Sequence, residues 1–337
     1  MVGYKKSFII HGNVVLVPGY KRDGIYDLSG RAFFLGKEHS ETLKTLFDTR
    51  VIDTELYLKD EHIRKLCDVF EKQKIGKWVA SKLTDCFIDP DFSIKNEPGL
   101  SNAILDMDIK SDHFEAFIQQ LSDILCPFLQ IRFYPDSEFS QLQTIANLID
   151  KHQILSAQVL FPHKQNAGFL SDIVTILNEH SRIAELILYG VPHEIVQNNS
   201  IQQDGLKFTE SEFKNESDCG KISSDYFIPS LGFYMESQHF NTCLNGKISL
   251  DRNGFVKNCP SMQFDYGHIR DTSIIDVVKN EDFKKWWIIT KDQIEECKDC
   301  EYRHMCSDCR AYRKDPANIY SKPLKCNYSV YNDGNVK

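Results

Sequence analysis

Four thiols fall within thirteen residues between Cys297 and Cys309, as two Cys-x-x-Cys pairs separated by five residues. Thiols crowded onto so short a stretch are suited to metal, because thiolate sulfur is the ligand of structural zinc and of iron-sulfur clusters. Cys243 and Cys259 lie upstream and Cys326 downstream, so seven of the eleven cysteines occupy the last third of a 337-residue chain. That third is expected to be a metal-cluster module. Gly254 stands between Cys243 and Cys259, giving C-x10-G-x4-C, and the second half reads C-x2-C-x5-C-x2-C with a final cysteine after sixteen further residues.

A single zinc ion could take Cys297, Cys300, Cys306 and Cys309 as a tetrahedral all-thiolate site. Zinc knuckle pairs are usually further apart, and this arrangement leaves Cys243, Cys259 and Cys326 without a role. Other chemistry is thin. Cys67, Cys86, Cys126 and Cys219 are nowhere closer than nineteen residues to one another, so they form no compact ligand motif. Asp106, Asp108 and Asp112 follow a strand, the edge where α/β sheets place their sites, although an acidic loop is the expected reading. No glycine-rich phosphate loop has the required spacing, and no Ser-His-Asp arrangement can be argued from sequence order.

Forty-eight acidic against forty basic residues give a net charge of −8, which speaks against a nucleic-acid binder that neutralises phosphates. No run approaches the ~20 apolar residues of a membrane span. The front of the chain lacks the apolar core and small-residue cleavage site of a signal peptide. A reducing cytoplasm is therefore expected, where clustered cysteines hold metal more often than they pair as disulfides.

The elements that must position these thiols can be read in order. SFIIHGNVVLVPG (7–19) predicts two strands around a Gly12-Asn13 turn, and GIYDL (24–28) and RAFFL (31–35) two more around Ser29-Gly30. Helices are expected over 40–47, 53–58 and 59–74, the last carrying Ile63, Leu66, Val69 and Phe70 at helical spacing. A proline-bearing stretch, 86–100, reads as a linker. Beyond it strands at 102–108, 128–134, 157–161 and 184–189 alternate with helices at 114–125, 140–150 and 169–177, a β/α series with a parallel sheet. A further strand is expected at 206–208 after the polar stretch 198–204, and short helices over 272–280, 282–287 and 292–296.

The first 85 residues, through their order of elements and the phrase YDLSGRAFFLG, resemble the PqqD-like peptide-recognition element of peptide-modifying enzymes. There a leader peptide adds as a strand. The resemblance implies a groove bordered by Arg31, Phe33, Leu35, His62, Lys65 and Val69; the alternative is that Phe33, Leu35 and Val69 are simply core. The cysteine pattern resembles the SPASM domain, departing from it where Cys306 and Cys309 enclose two residues instead of three. This implies two [4Fe-4S] clusters, the first on Cys243, Cys259 and Cys309, the second on Cys297, Cys300, Cys306 and Cys326. For the missing ligand of the first, His239 is the nearest candidate, Cys219 a more distant one, and an open iron site the third possibility.

SPASM domains usually follow a radical SAM barrel, but NAILDMDIKSDHFEAF carries no C-x3-C-x2-C, and PDSEFS stands where a glycine-rich turn is usual. No cleavage of S-adenosylmethionine is expected, and no catalytic residue is assigned. As a whole the chain resembles the grasp-with-spasm peptide maturases. The implied fold is α/β: a winged-helix-like PqqD-type element (1–85), a linker (86–100), a degenerate radical-SAM-like partial β/α barrel (101–235) and a SPASM domain (236–337). The implied function is an accessory maturase of ribosomal peptide natural products of the graspetide type. Its partners would be a precursor peptide and an ATP-grasp ligase, with neither nucleic acid nor membrane. The alternatives are a redox enzyme using an open iron site on the peptide, and a zinc-stabilised peptide-binding protein.

Overall fold

Apolar alternation at the front of the chain builds two small sheets where one hairpin was expected. Strands β1 (Lys6–Ile10) and β2 (Val14–Val17) bury almost every residue, yet they do not pair with each other. β1 is the middle strand of its sheet, between β5 (Val51–Asp53) and β6 (Gly76–Ala80). At the end of β1, before the turn into β2, the Ile10 amide donates to the Arg50 carbonyl and the His11 amide to that of Ile75. With both its edges taken, β1 has none left for β2. That strand instead opens a second antiparallel sheet, β2-β3-β4, with β3 (Arg22–Asp27) and β4 (Arg31–Gly36). The computed structural model describes residues 5–87, 89–94, 99–107, 113–198, 203–220 and 222–332.

Helices α1 (Ser40–Thr49), α2 (Thr54–Lys59) and α3 (Glu61–Lys72) follow as expected. Asp60 starts α3 by accepting from the His62 and Ile63 amides. Ile63, Leu66, Cys67 and Phe70 then pack against Phe8, Ile10, Ile25, Leu43 and Leu46.

The alternation from residue 102 makes a parallel sheet. Strands β7 (Asn102–Asp106), β8 (Phe128–Arg132), β9 (Ser156–Pro162), β10 (Ile183–Tyr189) and β11 (Leu206–Thr209) are interleaved with α4 (His113–Asp123), α5 (Phe139–Lys151), α6 (Phe169–Glu179) and the short α7 (His193–Asn198). The sheet does not stop at the boundary expected after residue 235. β12 (Lys247–Leu250) lies parallel beside β7, and β13 (Val256–Lys257) pairs antiparallel with β12. The order is β11-β10-β9-β8-β7-β12-β13, a seven-stranded and mostly parallel sheet in a mixed α/β chain. One core runs from Leu105, Ile131 and Leu186 through Ile248 to Phe283, Trp287 and Cys297. The remaining helices are α8 (Leu231–His239), α9 (Ile274–Lys279) and α10 (Glu281–Lys284). Among the described residues no helix is long and apolar enough to cross a membrane.

Asp106 corrects the expectation of an acidic loop. It is 3% exposed and accepts from Arg132 Nε at 2.5 Å, Arg132 Nη2 at 2.8 Å and the Tyr134 hydroxyl at 2.8 Å. Burial raises its pKa, opposed by the guanidinium beside it. The C-terminal ends of β7 and β8 are thus filled by a closed ion pair, covered by the rings of Tyr134, Tyr189 and Phe213. Asp108 and Asp112 lie outside the described residues, as do 199–202 of the polar stretch.

Candidate metal centres and the sheet docked on them

The thiols of the last third separate into two groups. Cys297, Cys300, Cys306 and Cys326 line one small cavity of about 30 Å³, closed by Phe227, Tyr302 and Tyr328 and by Lys291. Cys297 reaches it from a single turn of 3-10 helix, Cys297–Asp299, and Cys326 from a turn whose amide donates to the Pro323 carbonyl. Burial pushes the Cys297 thiol up to about 11 and raises those of Cys300 and Cys306. Lys291 Nζ lies 3.6 Å from Cys306 Sγ and 4.0 Å from Cys297 Sγ. Burial alone would lower its pKa, but those sulfurs and Asp308 outweigh it and raise it.

The second group joins Cys243, Cys259 and Cys309 to Cys219. Asn241 turns the chain into Cys243 by accepting from its amide at 3.0 Å. Cys219 is held by its own Sγ donating to the Glu216 carbonyl at 3.1 Å, and by Lys325, which donates to the Ser217 and Cys219 carbonyls. Ser261 Oγ, two residues past Cys259, stands 3.9 Å from Cys219 Sγ. Gly220 has φ +72, a conformation that L side chains rarely adopt, so the backbone rather than any lack of space beside Cys309 calls for glycine at this turn. A hydrogen bond shared with Cys259 lowers the pKa of Cys219, with help from Arg132 and Lys325 against burial. The same bond raises that of Cys259.

His239 stands elsewhere in character: exposed, at the C-terminal end of α8, its ring 6.2 Å from that of Phe240. Cys219 carries no motif, and its nearest cysteine is twenty-four residues away. The one signal for it was arithmetic: seven cysteines leave one of two four-ligand sites short.

Both groups consist of sulfur among apolar walls, a donor set for soft metal ions or iron-sulfur clusters rather than for magnesium or calcium. Among the described residues no three His, Cys, Asp or Glu side chains converge tightly enough to hold one metal ion as they stand. A zinc ion with sulfur at about 2.3 Å would need its four sulfurs roughly 3.8 Å apart.

The β2-β3-β4 sheet lies directly on the thiol loop. Tyr26 donates its hydroxyl to the Glu301 carbonyl, Arg22 Nε donates to Glu301 Oε1 at 2.8 Å, and Tyr20 N to Asp299 O at 2.7 Å. Glu301 is fully buried and also accepts from the Tyr328 hydroxyl at 2.7 Å. Phe34 of β4 packs on Tyr302 with ring centroids 5.0 Å apart, and Tyr302 lines the thiol cavity.

On the opposite face of β4, Phe33 and Leu35 are half-buried against the core beneath α3. Arg31 is tied to Asp27 and donates to the Gln73 carbonyl at 3.1 Å, which brings the start of β4 to the end of α3. His62 and Lys65 are exposed on α3, Lys65 pairing with Glu61, and Val69 is 45% exposed. Phe33 and Leu35 therefore serve the core as well as the wall of any groove, whereas Val69 does not. β4 is the edge of its sheet. The chain matches no protein-family model, no curated protein and no solved structure.

Proposed function

We propose that this chain is an accessory maturase that captures a precursor peptide at its front and carries two thiolate-bound [4Fe-4S] clusters behind it. The observation that carries the reading is the sorting of eight thiols into two groups of four. That is the ligand count of two such clusters. Cys219, Cys243, Cys259 and Cys309 would hold one, and Cys297, Cys300, Cys306 and Cys326 the other; bound clusters supply one-electron exchange or rigidity. The edge of β4 offers unpaired backbone groups to an added strand, with the stripe His62, Lys65 and Val69 of α3 beside it. The chain resemblance supplies the winged-helix-like, radical-SAM-like and SPASM identities of the three regions, and the ATP-grasp ligase as second partner.

Protein prepared without oxygen is expected to contain roughly eight irons per chain with matching sulfide. Zinc at one or two equivalents with little iron would instead favour the zinc-stabilised peptide-binding reading. For the front end, calorimetric titration with the cognate leader peptide is expected to show saturable binding. Val69→Arg should weaken it tenfold or more without moving the unfolding midpoint, because an exposed side chain contributes little to stability. Equal affinity of the variant and the parent rejects this groove.

A further inference from the structure

Lys291 is 4% exposed, so its ammonium is withdrawn from bulk water. A buried cation persists only when an anion compensates it. The nearest carboxylate, Asp308, lies 3.7 Å away but is already engaged. Arg310 holds it through Nε at 2.6 Å and Nη2 at 2.7 Å, and Asn241 Nδ2 donates to it at 2.6 Å. Arg310 is itself fully buried, with its other nitrogen on the Ile319 and Ser321 carbonyls. Arg303, the other cation lining the cavity, is paired with Asp292 at 2.7 Å. Counted together, these groups leave one positive charge uncompensated, and it faces the sulfurs of Cys306 and Cys297 at 3.6 and 4.0 Å.

We infer that Lys291 is a tuning residue: it supplies the counter-charge and a hydrogen-bond donor to the sulfurs of the Cys297-Cys300-Cys306-Cys326 site, and so raises the reduction potential of that cluster above its neighbour's. The inference rests on the iron-sulfur reading of the thiols. Reduction adds one electron, from dithionite in the test below, and makes or breaks no bond. A fixed cation beside the sulfurs favours the more negative, reduced state, and hydrogen bonds to cluster sulfur act in the same direction. The Cys219-Cys243-Cys259-Cys309 group contrasts with this: Lys247, 3.9 Å from Cys243 Sγ, and Lys325, held on the Ser217 and Cys219 carbonyls, are only partly buried, so water screens their charge, and the buried Arg132 is already paired with Asp106.

The test is a dithionite titration followed by electron paramagnetic resonance on the full chain, with iron counted in each sample. In Lys291→Met the one-electron reduction constant of one cluster is expected to fall at least tenfold, about 59 mV for a one-electron couple. The other cluster should stay in place as an internal reference. Lys291→Gln, which keeps a donor without the charge, should fall between, and Lys291→Arg should remain near the parent. Unchanged potentials in Lys291→Met at full iron content overturn the inference, as does equal loss of iron from all three variants, which would make Lys291 a folding residue. A parent protein without iron or sulfide overturns the cluster reading itself, a result separable from either.

Discussion

Cys219→Ala is expected to lose up to about four of the roughly eight irons per chain, while His239→Ala keeps them all. The two side chains are the rival candidates for completing the group of Cys243, Cys259 and Cys309. Only Cys219 has its sulfur among the others, anchored through Glu216 and 3.9 Å from Ser261. The imidazole of His239 is exposed beside Phe240. Iron and sulfide assays on both variants decide the matter, and full iron in Cys219→Ala with loss in His239→Ala would reverse the assignment. A complete set of four sulfurs also bears on the redox-enzyme alternative. That reading needs an iron with a free coordination position, and a fourth thiolate removes it.

Arg132→Met should be the costliest change away from the thiols, at about 3–5 kcal/mol, because it strands the buried carboxylate of Asp106 without its partner. The Tyr134 hydroxyl would remain as its donor, and one neutral hydrogen bond does not offset a missing guanidinium. Pairing the change with Asp106→Leu should recover most of the loss, since an apolar pair of similar volume does without the charges. Urea unfolding of the single and double variants measures both values. A double variant no more stable than Arg132→Met would show that packing, not the unpaired charge, sets the cost. This ion pair fills the C-terminal ends of β7 and β8, the edge of the sheet that commonly hosts chemistry, with side chains that satisfy one another.

The β/α series was legible because its strands carry apolar residues at alternate, core-facing positions, with β7 alone buried on both faces, and the helices between them show a clean period. The short strands were not. In NGKISLDRNG the apolar residues number two, the flanks are turn formers, and the reason Ile248 and Leu250 become core is β7, far away in the chain. β5 and β6 escaped for the same reason, being defined by the two edges of β1. The hairpin expected around Gly12-Asn13 failed because a local turn signal cannot say which strand will occupy a neighbouring edge. Seven of the eight thiols were legible from spacing; the eighth needed the fold to bring residue 219 to residue 259. Asp106 was misread because nothing near it in sequence announces Arg132.

The position of β12 beside β7 sets the order of events in biosynthesis. Ser101 Oγ meets the Gly246 carbonyl across 145 residues of chain, so β7 keeps a bare edge until that stretch has been made. Long-range parallel pairing is slow to form, and an open strand edge is an invitation to aggregate. The first half of this protein therefore emerges with its largest sheet unfinished. That sheet is capped only as the segment flanked by Cys243 and Cys259 leaves the ribosome, which ties the closing of its edge to the arrival of those two thiols.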